Sequence, residues 1–166
     1  MRLAAALLTL GLAGEAKAEE QVFQITQGDA EYAAAVAEAR ATLGLFLSHV
    51  QDEPQANSGE SLIKVRVPSP DPAIRSENFW LGPFHRVSDG GFQGTSVNDG
   101  VVVTEIRIGS IVTFSETQVI DWSWRSADGP LWGNYTTRLV LARHGLDPVE
   151  ELGFPFSPQP VPPAWE

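Results

Sequence analysis

One run of the chain limits what the rest can do. Ala30 to about Val50 is rich in Ala, Glu, Arg and Leu, all good helix formers. Tyr32, Val36, Leu43, Phe46, Leu47 and Val50 recur there at helical spacing and make one apolar stripe. Asp29 precedes the run and is predicted to cap it, its carboxylate accepting a first-turn backbone N–H. A stripe of that kind needs a sheet or another helix to cover it, and everything after it is short and turn-punctuated.

Residues 51–60 read as a polar loop. Leu62–Val67 alternates: Ile63, Val65 and Val67 point one way, Lys64 and Arg66 the other, the period of a half-buried strand. Pro68, Pro70 and Pro72 end it, because proline cannot donate to a ladder. Further strands are predicted at Asn78–Arg86, Phe92–Ser96, Val101–Ile108, Ile111–Phe114, Gln118–Arg125 and Leu131–Trp132, with residues 19–28 a strand or an arm. Turn signals separate them at Asp89-Gly90-Gly91, Asn98-Asp99-Gly100, Gly109-Ser110 and Asp128-Gly129. Asn134 is predicted to cap a last helix, Tyr135–Arg143, with Gly145 in the C-cap position; Tyr-Thr-Thr also suits a strand. The order of helix, short strands and helix predicts an α+β fold. Its sheet is antiparallel and curled, a partly open barrel being one form it can take.

Residues 1–18 read as a cleavable secretory signal peptide. Arg2 is followed by the apolar run Leu3–Ala13, and Ala16-Lys17-Ala18 offers small residues at the cleavage positions. That run is shorter than the roughly 20 residues that span a bilayer, and no cysteine follows it to carry a lipid anchor. The expected division is residues 1–18 as leader, 19–146 as one domain and 147–166 as a proline-rich tail, extended and partly disordered. The expected location is the periplasm or the medium, with no stable membrane insertion after cleavage.

Loss of Arg2, Glu15 and Lys17 takes the net charge from −10 to −11. With that charge and no basic cluster, nucleic acid and anionic membrane surfaces are poor partners. The chain has no cysteine, so it must fold without disulfides even in an oxidising compartment.

From about Asp29 to Arg143 the chain resembles the YegJ-like family of bacterial proteins, a domain of unknown function numbered 2314. The resemblance rests on four stretches. They are Ala37-Glu-Ala-Arg-Ala-Thr-Leu43; Trp80-Leu81 before Asp89-Gly-Gly-Phe-Gln-Gly-Thr95; Ile108-Gly-Ser-Ile-Val-Thr-Phe114 leading to Ile120-Asp-Trp122; and Gly133-Asn-Tyr-Thr-Thr-Arg-Leu139. It implies a single α+β domain shaped by those tryptophans and glycines. It carries over no catalytic residue.

Nothing in the chain amounts to a catalytic or metal motif. His49, His85 and His144 lack a second ligand at zinc spacing, so no metal or cofactor is assigned. His85-Arg86 with Asp89 is the one grouping that suits acid–base work; it supports the alternative of a small envelope hydrolase pairing His85 with a carboxylate. No serine sits in a Gly-x-Ser-x-Gly elbow, and no two carboxylates are singled out by spacing. The Tyr135-Thr136-Thr137-Arg138 start of the last helix is a place that attracts anions.

The strongest hint is aromatic. Trp122 and Trp124 share one strand face, with Asp121, Ser123 and Arg125 on the other. A two-residue turn at Asp128-Gly129 would set Arg125 opposite Trp132 for a cation–π contact, and Trp124 opposite Gly133. Trp165, near the end of the tail, can dock on its own domain or on a partner. These residues point to a non-enzymatic interaction or ligand-binding module of the envelope. Trp122, Trp124, Trp132, Trp165, His85 and Arg125 are its candidate contacts, and an envelope protein or a small ligand is its partner.

Overall fold

The computed structural model describes residues 5–8, 23–26, 28–52 and 61–165. The expected cleavage site at Ala18 and most of the expected loop, residues 53–60, lie outside them. The long helix forms as the stripe requires: α1 runs Ala30–Asp52, and Asp29 Oδ1 accepts the Tyr32 N–H at 2.9 Å. Two short strands precede it, β1 (Ala5–Leu8) and β2 (Phe23–Thr26), paired antiparallel. β1 falls within the expected leader and lies parallel to the start of β4.

After α1 come β3 (Ser61–Pro68), β4 (Ser76–Arg86), β5 (Phe92–Ser96), β6 (Ile111–Phe114), β7 (Val119–Trp124) and β8 (Trp132–Gly133). These six pair antiparallel in the order β6-β5-β4-β3-β7-β8. β1 and β2 join the same sheet at the start of β4, and the sheet stays open, with β2, β6 and β8 at its free edges, and does not close into a barrel. Helix α2 (Tyr135–His144) follows β8, and a single turn, α3 (Pro148–Leu152), starts the tail. The fold is α+β, with the helix of the stripe first and the short helices last.

One face of the sheet carries Ile63, Val65, Phe79, Leu81 and Trp122, all fully buried with Leu43, Phe46 and Leu47 of α1. Phe46 stacks on Trp122 at 5.0 Å between ring centres. The pairing of β3 with β7 slips between Lys64 and Val65. Ile120 at that slip joins Tyr32, Val36 and Val140 in a second apolar cluster between α1 and α2. Arg143 at the end of α2 closes the same two helices by bonding Asp29 at 2.8 Å and Glu31 at 2.5 Å.

Three expectations need correction. The strand expected at Val101–Ile108 is a loop, although its residues suit β structure. The cause is Glu77, a fully buried residue of β4. Its carboxylate accepts the N–H groups of Val101, Val102 and Val103 at 2.7, 3.1 and 2.8 Å, so these donors bond a side chain and not a neighbouring strand. The second correction concerns β3: Lys64, expected on an open face, has no exposed surface, because α2 covers that side. Thirdly, Asn134 does not cap α2 with its side chain. It takes a left-handed backbone conformation, φ 58°, and its Nδ2 donates to Ser123 Oγ and the Trp132 carbonyl, each at 2.8 Å.

The proline-rich tail folds back on the domain along its described length. Leu131 N–H donates to the Pro155 carbonyl, Ser157 N–H to the Leu131 carbonyl, and Gly133 N–H to the Pro160 carbonyl. Arg138 of α2 clamps it: Nη1 reaches the Ser157 carbonyl at 2.8 Å and Nη2 the Ser157 hydroxyl at 2.7 Å.

Replacing Glu77 by Ala leaves three buried or half-buried amides without their acceptor. We expect a stability loss of about 3 kcal/mol in urea unfolding, together with faster amide exchange at Val101–Val103. A loss below about 1 kcal/mol would mean that the loop does not depend on this carboxylate.

Candidate functional site

Two groups of side chains lie back to back on β7, because consecutive residues of a strand point to opposite faces. Asp121 points toward α2, and Trp122 toward α1.

The Asp121 side is polar and closed. Register sets Asp121, Lys64 and Trp80 in one row across β7, β3 and β4. Asp121 accepts four hydrogen bonds. Its own strand gives the Trp122 N–H at 2.9 Å, and the first turn of α2 gives the Tyr135 and Thr136 N–H groups at 3.1 and 2.8 Å. The fourth comes from the Thr136 hydroxyl at 2.6 Å. The anion that this helix start attracts is therefore the chain's own carboxylate, which does the capping expected of Asn134. Lys64 Nζ donates to the hydroxyls of Thr136 and Thr137 at 2.8 and 3.2 Å and lies 4.4 Å above the Trp80 ring. Thr136 thus bridges ammonium and carboxylate. Beside them Asn78 Nδ2 donates to Tyr32 Oη at 3.2 Å.

Burial governs the charges. It pulls the Lys64 ammonium down to about 7, with Asp121 opposing. It pushes the Asp121 carboxyl above the usual carboxylate range, against the pull of Lys64 and the Thr136 and Trp122 donors. Tyr32 is raised to about 12, first by burial and then by Asp121. Lys64, Asp121 and Thr136 have no exposed surface, so no substrate reaches them in this conformation. The cluster holds the fold together.

The Trp122 side is aromatic and opens outward. Trp122 itself has no exposed surface; its Nε1–H donates to Thr42 Oγ1 at 3.1 Å, and its ring meets Phe46, Tyr135 and Trp165. Above it lie half-buried rings from three distant parts of the chain. His49 comes from the end of α1, Trp124 from the end of β7, and Trp165 from the last turn of the tail. Ring centres are 4.3 Å apart for His49 and Trp165, 5.0 Å for His49 and Trp124, and 5.1 Å for Trp124 and Trp165. His49 Nε2 and Trp124 Nε1 are buried atoms with no hydrogen-bond partner among the described residues. Trp132 sits directly opposite Trp124 across the β7–β8 pair.

The candidate residues therefore separate. Trp124, Trp132 and Trp165 gather on one half-buried surface, and Trp122 is the floor beneath it. Arg125 does not meet Trp132. Its turn closes at Ser126–Gly129, one residue earlier than expected, which pairs Trp124 with Trp132 and Ser123 with Gly133. The Arg125 guanidinium lies instead over Phe154 of the tail at 4.1 Å. His85 is exposed on β4, opposite Gln93 of β5, and β3 separates its strand from the β7 that carries Trp122 and Trp124. No carboxylate bonds to it among the described residues. His49 was named in the sequence only as a lone histidine, and its place in the aromatic group comes from contacts with both Trp124 and the tail. The Lys64–Asp121 pair was missed altogether. Its one signal was a charge set inside each of two otherwise apolar strands, Ile63-Lys64-Val65 and Ile120-Asp121-Trp122. Among the described residues no group of three His, Asp or Glu side chains comes together to hold a metal ion.

A family model described as an uncharacterized protein conserved in bacteria (DUF2314) matches residues 29–151. Neither the curated proteins nor the solved structures offer a match to the chain.

The Lys64 cluster has a pH signature. A lysine that titrates near 7 when folded and near 10.5 when unfolded binds fewer protons in the fold between those values. Stability from this group therefore rises as pH increases through that window, by at most about 1.4 kcal/mol per pH unit. Unfolding midpoints measured from pH 7 to 9 should rise for the natural chain relative to a Lys64→Met variant. Parallel curves would show that Lys64 keeps its ordinary pKa in the fold.

Proposed function

We propose, from the premise that this chain belongs to that family of uncharacterized bacterial proteins, that it is an exported, non-enzymatic interaction module of the cell envelope. The observation that carries the reading is the half-buried surface of Trp124, Trp132 and Trp165, set on the buried Trp122. Tryptophan is enriched where proteins meet partners, because it offers a large rigid area at small entropic cost and a polar edge that wants a partner. A foundation already packed in the core keeps that area in place before binding, which lowers the cost of association. Export is supported by the leader-like first 18 residues, and a partner that is not nucleic acid by the acidic balance. The most sheltered titratable pair, Lys64 and Asp121, is engaged in the fold and closed to substrate, which favours binding over catalysis.

The test is recovery of the chain from its own host. A tag placed after Ala18 is carried through the cell, and the protein is isolated from the envelope fraction after mild cross-linking. N-terminal sequencing should read Glu19 after the tag is accounted for. A specific partner should be lost from Trp124→Ala and Trp132→Ala variants whose unfolding midpoints stay within a few degrees of the natural chain. Retention of residues 1–18 in a cytoplasmic protein would overturn the export part. A partner kept by both variants would overturn the tryptophan surface.

A further inference from the structure

The last turn of the tail is attached unlike the rest of it. Up to Pro160 the tail is bonded to the body: the Pro155, Ser157 and Pro160 backbones all exchange hydrogen bonds with Leu131 or Gly133. Beyond Pro160 that changes. Proline at 162 and 163 leaves few N–H donors. The Trp165 N–H turns back to the Pro162 carbonyl at 2.9 Å within the turn itself. Among the described residues, no hydrogen bond joins 161–165 to the body. What holds this turn is apolar contact: buried Pro162, half-buried Val161, and the Trp165 ring against His49, Trp122 and Trp124.

The slot that receives Trp165 is not chemically matched to it. Among the described residues, His49 Nε2 and Trp124 Nε1 have no hydrogen-bond partner beside this turn. Each such buried atom costs on the order of 1–3 kcal/mol. An apolar cover over two unmet polar atoms can be exchanged for one that meets them.

We infer that the groove holding Val161–Trp165 is a peptide-binding site, and that the tail is its resident occupant, displaced by a partner. The partner is an extended proline-rich segment of another protein with an aromatic residue near its end. The tail shows what fits: prolines that pre-set an extended backbone at little entropic cost, then a flat ring that packs against His49 and Trp124 together. A partner improves on the tail by offering an acceptor to the Trp124 indole N–H and a group complementary to His49 Nε2. This names the partner class for the interaction reading above and rests on it, with Trp124 and Trp132 as the contact surface once Trp165 is displaced.

The test uses the full chain and a labelled peptide of sequence Val-Pro-Pro-Ala-Trp-Glu. A Trp165→Ala variant vacates the slot and should bind the peptide at least about tenfold more tightly than the natural chain. The same peptide with alanine for tryptophan should bind neither. Equal affinity for the two proteins, or none for the variant, overturns the proposal. Should the variant fail to fold, hydrogen exchange on the natural chain decides. The Trp124 indole N–H should exchange through a local opening well below the free energy of global unfolding; exchange only at the global value makes the tail fixed core. Sedimentation of the natural chain guards against the other occupant. A dimer that grows with concentration and is absent in Trp165→Ala would assign the groove to the tail of a second copy and overturn the partner reading. None of these failures touches the Trp124 and Trp132 result above, since a partner can bind over an undisplaced tail.

Discussion

Asp121 lies in the interior of the sheet, where a carboxylate is tolerable only when its oxygens are met by donors or a counter-charge. Meeting that demand arranges much of the fold. Two donors are the free N–H groups that any helix start presents, so α2 must begin beside β7. A third is the Thr136 hydroxyl, which also accepts from Lys64 and so draws β3 into the same knot. Lys64 then rests on Trp80 of β4. One side chain thus ties three adjacent strands to a helix that follows them in sequence. Thr136 bridges the two groups, and buried charges return little beyond their desolvation cost, yet removing one member strands the other.

The residue after Asp121 is Trp122, and alternation sends it to the other face. There it is the meeting point of Phe46 and Thr42 from α1, Tyr135 from α2 and Trp165 from the tail. Gly133 is held tightly against it. With φ at +66° and an added Cβ brought to 2.2 Å from the Trp122 carbonyl, only glycine fits between β8 and β7. The strand that locks α2 in place is therefore the strand that carries the aromatic surface. Changes on one face will reach the other through the shared backbone.

Glu77 makes the same point at the far side of the sheet. A buried carboxylate that takes three successive N–H groups turns a β-prone valine run into a loop. In both places a side chain completes the bonding that a helix start or a strand edge leaves undone. In both, local pattern misled for that reason: propensity at Val101–Ile108 and the cap expected of Asn134 were overridden by a carboxylate from elsewhere in the chain.

Local order was legible where short-range chemistry decides. The stripe of α1, the alternation of β3, the turns at Asp89-Gly90-Gly91 and Gly109-Ser110, and the left-handed Gly145 that ends α2 depend on residues a few positions apart, and each is where the sequence set it. The α+β class follows from their order. Partnership across the chain was not legible. Lys64 and Asp121 stand 57 positions apart, and Glu77 and the valines about 25, so no periodicity links them. The tail belonged to the same blind spot. Its prolines announced an extended chain, but the direction it takes depends on Arg138, on the backbone of β8, and on a slot whose walls come from His49 and Trp124. Which tryptophan is floor and which is surface was a matter of what packs on each side of β7, and the tertiary structure alone supplies those neighbours.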